Sequence, residues 1–208
     1  EGRRSFARTL TYVSITTSAS FGNMVSMALA TPFLPFLPLA AKQVLLNNLL
    51  SDLPMMMLAR DRVDAARIRA PCRWSIAAIR RFMLAFGLLS SVFDLAAFAA
   101  LLLIFRASEA EFQTAWFVVS LLTELAIILV LRTDGPLHKS RPSLLLSTVI
   151  AVVAAAALAL PDLGPVAAAF GFAPLPMPLL AAGAAIVLFY VVANETLKAR
   201  LARTRDIA

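Results

Sequence analysis

The chain has 208 residues; 61% are hydrophobic, 15% are charged, and the mean hydropathy is +0.84. Soluble domains carry about 45–50% apolar residues, so this composition excludes a water-soluble globule and predicts an integral membrane protein. The formal net charge of +7 suits an acidic partner such as nucleic acid or anionic lipid, and the single cysteine, Cys72, excludes an internal disulfide.

Residues 1–9 are basic, with Arg3, Arg4 and Arg8, and show no signal-peptide pattern; a start at Glu1 instead of methionine predicts a fragment of a longer polypeptide. The first predicted span covers residues 10–30. It carries Thr11, Ser14, Thr16, Thr17, Ser18, Ser20, Asn23 and Ser26, so it must pack inside a bundle or line a polar cavity, because lipid offers such groups no partners. Pro32, Pro35 and Pro38 make residues 31–38 a short, stiff turn. The second span, residues 39–59, contains Leu45-Leu46-Asn47-Asn48-Leu49-Leu50-Ser51-Asp52-Leu53-Pro54. An ionisable group at membrane depth costs roughly 2.5–3.5 kcal/mol on insertion scales, and a cation is the natural compensation.

Residues 60–82 read as an arginine-rich loop, with an interfacial amphipathic helix that sets Trp74 and Phe82 near the headgroups. The third and fourth spans cover residues 83–105 and 114–131. A basic loop, 132–142, precedes a fifth span at 143–160. The segment 161–178 is rich in Pro and Gly and reads as a loop, and the sixth span covers 179–197 before a basic tail. All but two of the 19 Lys and Arg residues fall at the N-terminus, in the 60–82 and 132–142 loops, or in the tail; the exceptions are Lys42 and Arg106. That asymmetry predicts an all-α bundle of six transmembrane helices with both termini cytoplasmic. It also assigns the positive charge to orientation and anionic headgroups, and excludes nucleic acid as a partner. No internal repeat supports an inverted-repeat transporter.

Asn48 and Asp52 are four residues apart and so share a helix face, with Ser51 beside it. Pro54 cannot donate to the Leu50 carbonyl, and a local opening of the helix there would offer further backbone oxygens. Amide, carboxylate and carbonyl oxygens suit a hard divalent cation; the alternative is a buried Asp52 that pairs with a neighbouring helix and holds the bundle together. Asn47 falls on another face and reads as a helix–helix hydrogen bond. Ser20 and Asn23 share a face of the first span, Gly22 allows a close backbone approach, and the short turn sets the polar faces of the first two spans against each other. Glu124, one turn after Ser120, and Asp94, near Ser90 and Ser91, are ion-path candidates, or else protonated carboxyls satisfied by hydroxyls. Glu195 lies near the cytoplasmic end. His138 and Cys72 have no partner at metal-ligand spacing, and no phosphate-binding loop, nucleophile–His arrangement or redox pair is present.

Gly2-Arg3-Arg4-Ser5-Phe6-Ala7-Arg8-Thr9, Thr17-Ser18-Ala19-Ser20-Phe21-Gly22-Asn23-Met24 and Leu46-Asn47-Asn48-Leu49-Leu50-Ser51-Asp52-Leu53-Pro54 resemble the C-terminal membrane half of P-type cation ATPases, closest to the bacterial magnesium-translocating type. Phe86-Gly87-Leu88-Leu89-Ser90-Ser91-Val92-Phe93-Asp94 and Ser120-Leu121-Leu122-Thr123-Glu124 fit the same type. The resemblance covers essentially the whole chain, through residue 132 in motifs and after 143 in composition. It implies that residues 1–208 are the last six helices of such an enzyme in a bacterial inner membrane, with Mg2+ as the transported ion. It further implies that Asn23, Asn48 and Asp52 surround that ion, with Ser20, Ser51, Glu124 and Asp94 as supporting candidates. ATP would be used by cytoplasmic domains that precede Glu1, since nothing within the chain can hydrolyse it alone. A P-type ATPase for Ca2+ or H+, and a free-standing six-span channel or non-catalytic membrane module, are the alternative readings.

Overall fold

The computed structural model describes residues 2–58, 60–61, 75–133 and 135–205, and within them the chain is all-helical, with no strand. Seven α-helices follow in order: α1 (Gly2–Ala30), α2 (Ala41–Leu58), α3 (Ile76–Ala99), α4 (Glu109–Leu131), α5 (Leu144–Ala159), α6 (Gly164–Phe170) and α7 (Met177–Arg205). Helices occupy all six expected spans. Among the described residues four stretches, Ile76–Ile104, Glu109–Leu131, Leu144–Asp162 and Met177–Ala202, are long and apolar enough to cross a membrane. α1 and α2 are not among the four, because their amides, hydroxyls and charges dilute the apolar run.

Two expectations need correction. Arg80, Arg81 and Phe82 belong to α3 and not to a loop: Ser75 caps that helix by accepting from the Ala78 N–H at 3.2 Å, and the arginines occupy its exposed face. The Pro/Gly-rich segment after α5 contains α6, seven residues closed by Gly171 at φ +74°, a left-handed cap that suits glycine. The interfacial helix expected before α3, with Trp74, and the isolated Cys72 lie outside the described residues.

α1 tolerates its polarity by a simple device. The hydroxyls of Thr11, Thr17 and Ser18 each donate to the carbonyl four residues back, at 2.7–3.0 Å. Its buried positions, Ala7, Thr11, Ile15, Ser18, Gly22, Ser26 and Ala30, recur every three or four residues and form one stripe of mostly small side chains. That stripe packs mainly on α3. At the crossing, a Cβ on Gly22 would lie 3.0 Å from the Gly87 carbonyl oxygen, and Ser91 Oγ donates to the Gly22 carbonyl at 3.0 Å. Small residues permit such approach where hydrophobic burial alone gives helices no reason to associate.

α4 is the centre of the bundle and is buried along nearly its whole length. Ser108 and Glu111 form a capping box at its start, with Ser108 N donating to Glu111 Oε2 at 2.8 Å. Phe112 and Trp116 then pack with Phe36 and Phe98, ring centroids 4.6–5.4 Å apart. At that end of the bundle Gln113 Nε2 donates to the Leu37 carbonyl (2.9 Å), while Lys42 and Gln43 reach the Ala169 and Phe170 carbonyls at the end of α6 (2.7 and 3.1 Å). At the other end Lys198 binds the Val130 and Gly135 carbonyls and pairs with Glu195 at 2.6 Å, which fastens α7 to the segment after α4.

Candidate functional site

A pocket of about 450 Å³ opens between α1, α2 and α4. Thr16, Ser20 and Asn23 line it from α1; Asn47, Asn48, Ser51 and Asp52 from α2; Trp116, Ser120 and Glu124 from α4. Helical periodicity explains the set. On α2 the polar residues fall in two adjacent four-residue steps, Asn47–Ser51 and Asn48–Asp52, and on α4 Trp116, Ser120 and Glu124 form one row. Ser20, Asn48 and Asp52 are exposed on the open side of the pocket, whereas Asn47 and Glu124 are buried, at 3% and 9% exposure.

Glu124 ties the three helices together. Its Oε1 accepts from Asn23 Nδ2 at 2.6 Å and from Asn47 Nδ2 at 3.1 Å. The Ser51 hydroxyl, beside them in the lining, donates to the Asn48 carbonyl at 3.1 Å. The polar faces of α1 and α2 therefore do not mate directly, as their short connection suggested. The two helices touch little, and a carboxylate from α4 stands between them.

The chemistry of the lining is that of hard oxygen donors: two carboxylates, three amides and several hydroxyls. Among the described residues, none of those that line the pocket is Lys, Arg or His. Among the described residues no group of three or more His, Cys, Asp or Glu side chains stands close enough to hold a metal. The site thus has few charges and many neutral oxygens, a composition that suits a small, partly hydrated cation. α2 continues as helix through Pro54, which is buried, so the expected local opening of the backbone is not seen.

Asp94 lies apart from this pocket. Ser26 Oγ donates to its Oδ2 at 2.6 Å and Trp116 Nε1 to its Oδ1 at 3.2 Å, a buried bridge between α1, α3 and α4. The structure thus gathers Ser20, Asn23, Asn48, Ser51, Asp52 and Glu124 around one cavity and leaves Asp94 outside its lining. Sequence reasoning left out Asn47, Thr16 and Ser120. Asn47 makes the helix–helix bond expected of it, yet it also faces the cavity, because the pocket is wide enough to admit both polar rows of α2. The doubled amide Asn47-Asn48 was the available signal.

Residues 36–200 match the family described as "Cation transporting ATPase, C-terminus". Over 203 residues, 95% of this chain, it is 36% identical to the "Magnesium-transporting ATPase, P-type 1" of Escherichia coli K12 and to that of Salmonella typhimurium 14028s. A further protein of that name from Salmonella typhimurium LT2 is 33% identical over the same length. The chain spans 22% of the length of each of these curated relatives. The match over most of its length, on a bundle of apolar helices, settles the family: the chain belongs to the cation transporting ATPases, as their C-terminal membrane region.

Proposed function

We propose that the chain is the membrane transport part of an ATP-driven Mg2+ transporter, and that the pocket between α1, α2 and α4 is part of its intramembrane cation site. The observation that carries this reading is charge: Asp52 and Glu124 line one cavity, and among the described residues no cationic side chain lines it. A pair of carboxylates without a fixed counter-charge favours a mobile one. Asp52, on the open side, meets the ion as it enters; Asn23, Asn48 and Ser20 supply neutral oxygens; and Glu124 holds the three helices in register around it. Mg2+ keeps several waters and takes one or two carboxylates, and both the modest charge of the lining and the names of the relatives support it over Ca2+ or H+.

In this proposal α1, α2, α3, α4, α5 and α7 are six spans with both termini cytoplasmic, in a bacterial inner membrane. The Lys and Arg asymmetry supports the orientation, and the self-satisfied hydroxyls of α1 explain how so polar a helix can lie in the bundle. The ATP-using and phosphorylated domains would precede residue 1 in the same polypeptide, as would further spans. Phosphorylation there would move α1, which reaches the pocket through Thr16, Ser20 and Asn23, and so open the site alternately to either side. In the full-length enzyme, Asp52→Ala is expected to abolish cation-stimulated ATP turnover while membrane insertion is retained. Normal Mg2+ transport by this variant would remove Asp52 from the site, and the same assay with Ca2+ or a pH gradient identifies the ion.

A further inference from the structure

Asn47 occupies an unusual position for a residue whose role is to join two helices. Its Nδ2 is committed to Glu124 Oε1 at 3.1 Å, and its Oδ1 is buried with no hydrogen-bond partner. The amide cannot be turned over, because that would set its oxygen against a carboxylate oxygen. A side-chain amide must satisfy both a donor and an acceptor end, and a buried acceptor left unpaired is costly. A second such atom, Thr16 Oγ1, is also buried without a partner, and both residues line the same pocket. Two partnerless oxygens thus border a cavity that already holds two carboxylates and, among the described residues, no cationic side chain. A hydrogen-bond acceptor could satisfy the Thr16 hydroxyl but not the Asn47 oxygen, which only accepts and which an electron-poor ligand would complete.

We infer that Asn47 supplies a further cation ligand through its amide oxygen, held in that orientation by the hydrogen bond from its nitrogen to Glu124. Glu124 is then a positioning residue for Asn47 as well as a charge in the pocket, in the way that groups behind a metal's ligands fix which atom each ligand presents. The inference rests on the reading of the pocket as a cation site and adds a ligand from the second polar row of α2. Asn47 and Asn48 would approach the ion from neighbouring rows, with Asp52 one turn along.

The test uses the full-length protein in proteoliposomes with a trapped Mg2+ indicator, at fixed ATP, together with the melting temperature of the purified protein in the absence of Mg2+. Asn47→Leu removes oxygen and donor; Asn47→Asp keeps an oxygen and removes the donor. The inference expects Asn47→Leu to raise the half-saturating Mg2+ concentration by about tenfold or more, with the maximal rate within about threefold of the parent. Asn47→Asp should stay within about threefold in half-saturation, lose thermal stability without Mg2+ because a second carboxylate faces Glu124, and regain it when Mg2+ is added. If Asn47→Leu does not fold, Asn47→Ala carries the same expectation. Equal shifts in half-saturation for Asn47→Asp and for Leu or Ala would reduce Asn47 to a helix tie, and unchanged half-saturation in both would mean that water satisfies the oxygen; either outcome overturns the inference. A parent protein that takes up no Mg2+ would instead overturn the cation-site reading, and this inference with it.

Discussion

Two carboxylates in this bundle face opposite situations. Asp61, just after α2, is buried and fully engaged: Arg132 Nη1 donates to Oδ2 at 3.0 Å, the Ser143 N–H to Oδ1 at 2.8 Å, and Arg8 reaches its backbone carbonyl at 2.7 and 3.1 Å. Arg132 also binds the carbonyl and hydroxyl of Ser140. One junction thereby joins the start of α1, the end of α2, the end of α4 and the cap of α5. Glu124, in contrast, receives its hydrogen bonds from the neutral amides of Asn23 and Asn47, and among the described residues no cationic side chain lines its cavity. The difference teaches that neutral partners alone do not mark a ligand site. Asp61 carries its counter-charge with it in Arg132; Asp94 has only neutral partners but is sealed away from the cavity; Glu124 has neutral partners and borders the cavity, which in the proposed reading leaves room for a mobile counter-charge.

The junction should be the easier of the two to break. Asp61→Ala leaves Arg132 as an unpaired buried charge and is expected to cost about 3–5 kcal/mol of stability. A thermal or denaturant melt of the full-length protein measures it. A double replacement of Asp61 and Arg132 by leucine should cost less than the single variant, because no lone charge remains. A double variant no more stable than the single one would mean that Asp61 matters for something other than its pair. Next in size is the α1–α3 crossing. A Cβ on Gly87 would lie 2.7 Å from a Phe21 ring carbon and 3.0 Å from the Ser18 carbonyl oxygen, so Gly87→Ala is expected to cost about 1–3 kcal/mol from overpacking. The residual folded protein should keep the parent's half-saturating Mg2+ concentration. The smallest effect belongs to Asp94→Asn. This carboxylate is sealed by Ser26 and Trp116 and does not line the cavity, so half-saturation for Mg2+ should move by no more than about threefold. A shift as large as that of an Asp52 variant would put Asp94 on the ion's path and blur the distinction.

The helices were legible because four of the expected spans are long apolar runs, and the polar α1 still shows its buried stripe every three or four residues. α6 was not, since seven residues with Pro165 near their start carry no periodic signal. The start of α3 was missed because Arg80 and Arg81 look like loop residues when their helix face is unknown. In the pocket, Asn48, Asp52, Asn23, Ser20, Ser51 and Glu124 stood out as polar groups at membrane depth. Asn47 did not, because a single helix face was assumed to do all the work and the width of the cavity is a tertiary property. Asp61 was invisible for a related reason. It sits in an arginine-rich segment where any carboxylate looks solvated, and its partner Arg132 is 71 positions away.

The central claim is that the charge missing from the pocket is supplied by the transported ion. Radiotracer Mg2+ uptake by proteoliposomes that carry the Asp52→Asn/Glu124→Gln double variant tests it most directly, since these replacements keep shape and remove both charges. Loss of contacts to charged groups predicts uptake lower by about a hundredfold or more at a Mg2+ concentration that half-saturates the parent, with the protein still folded because Asp61 and Arg132 are untouched. Uptake equal to that of the parent would contradict the account.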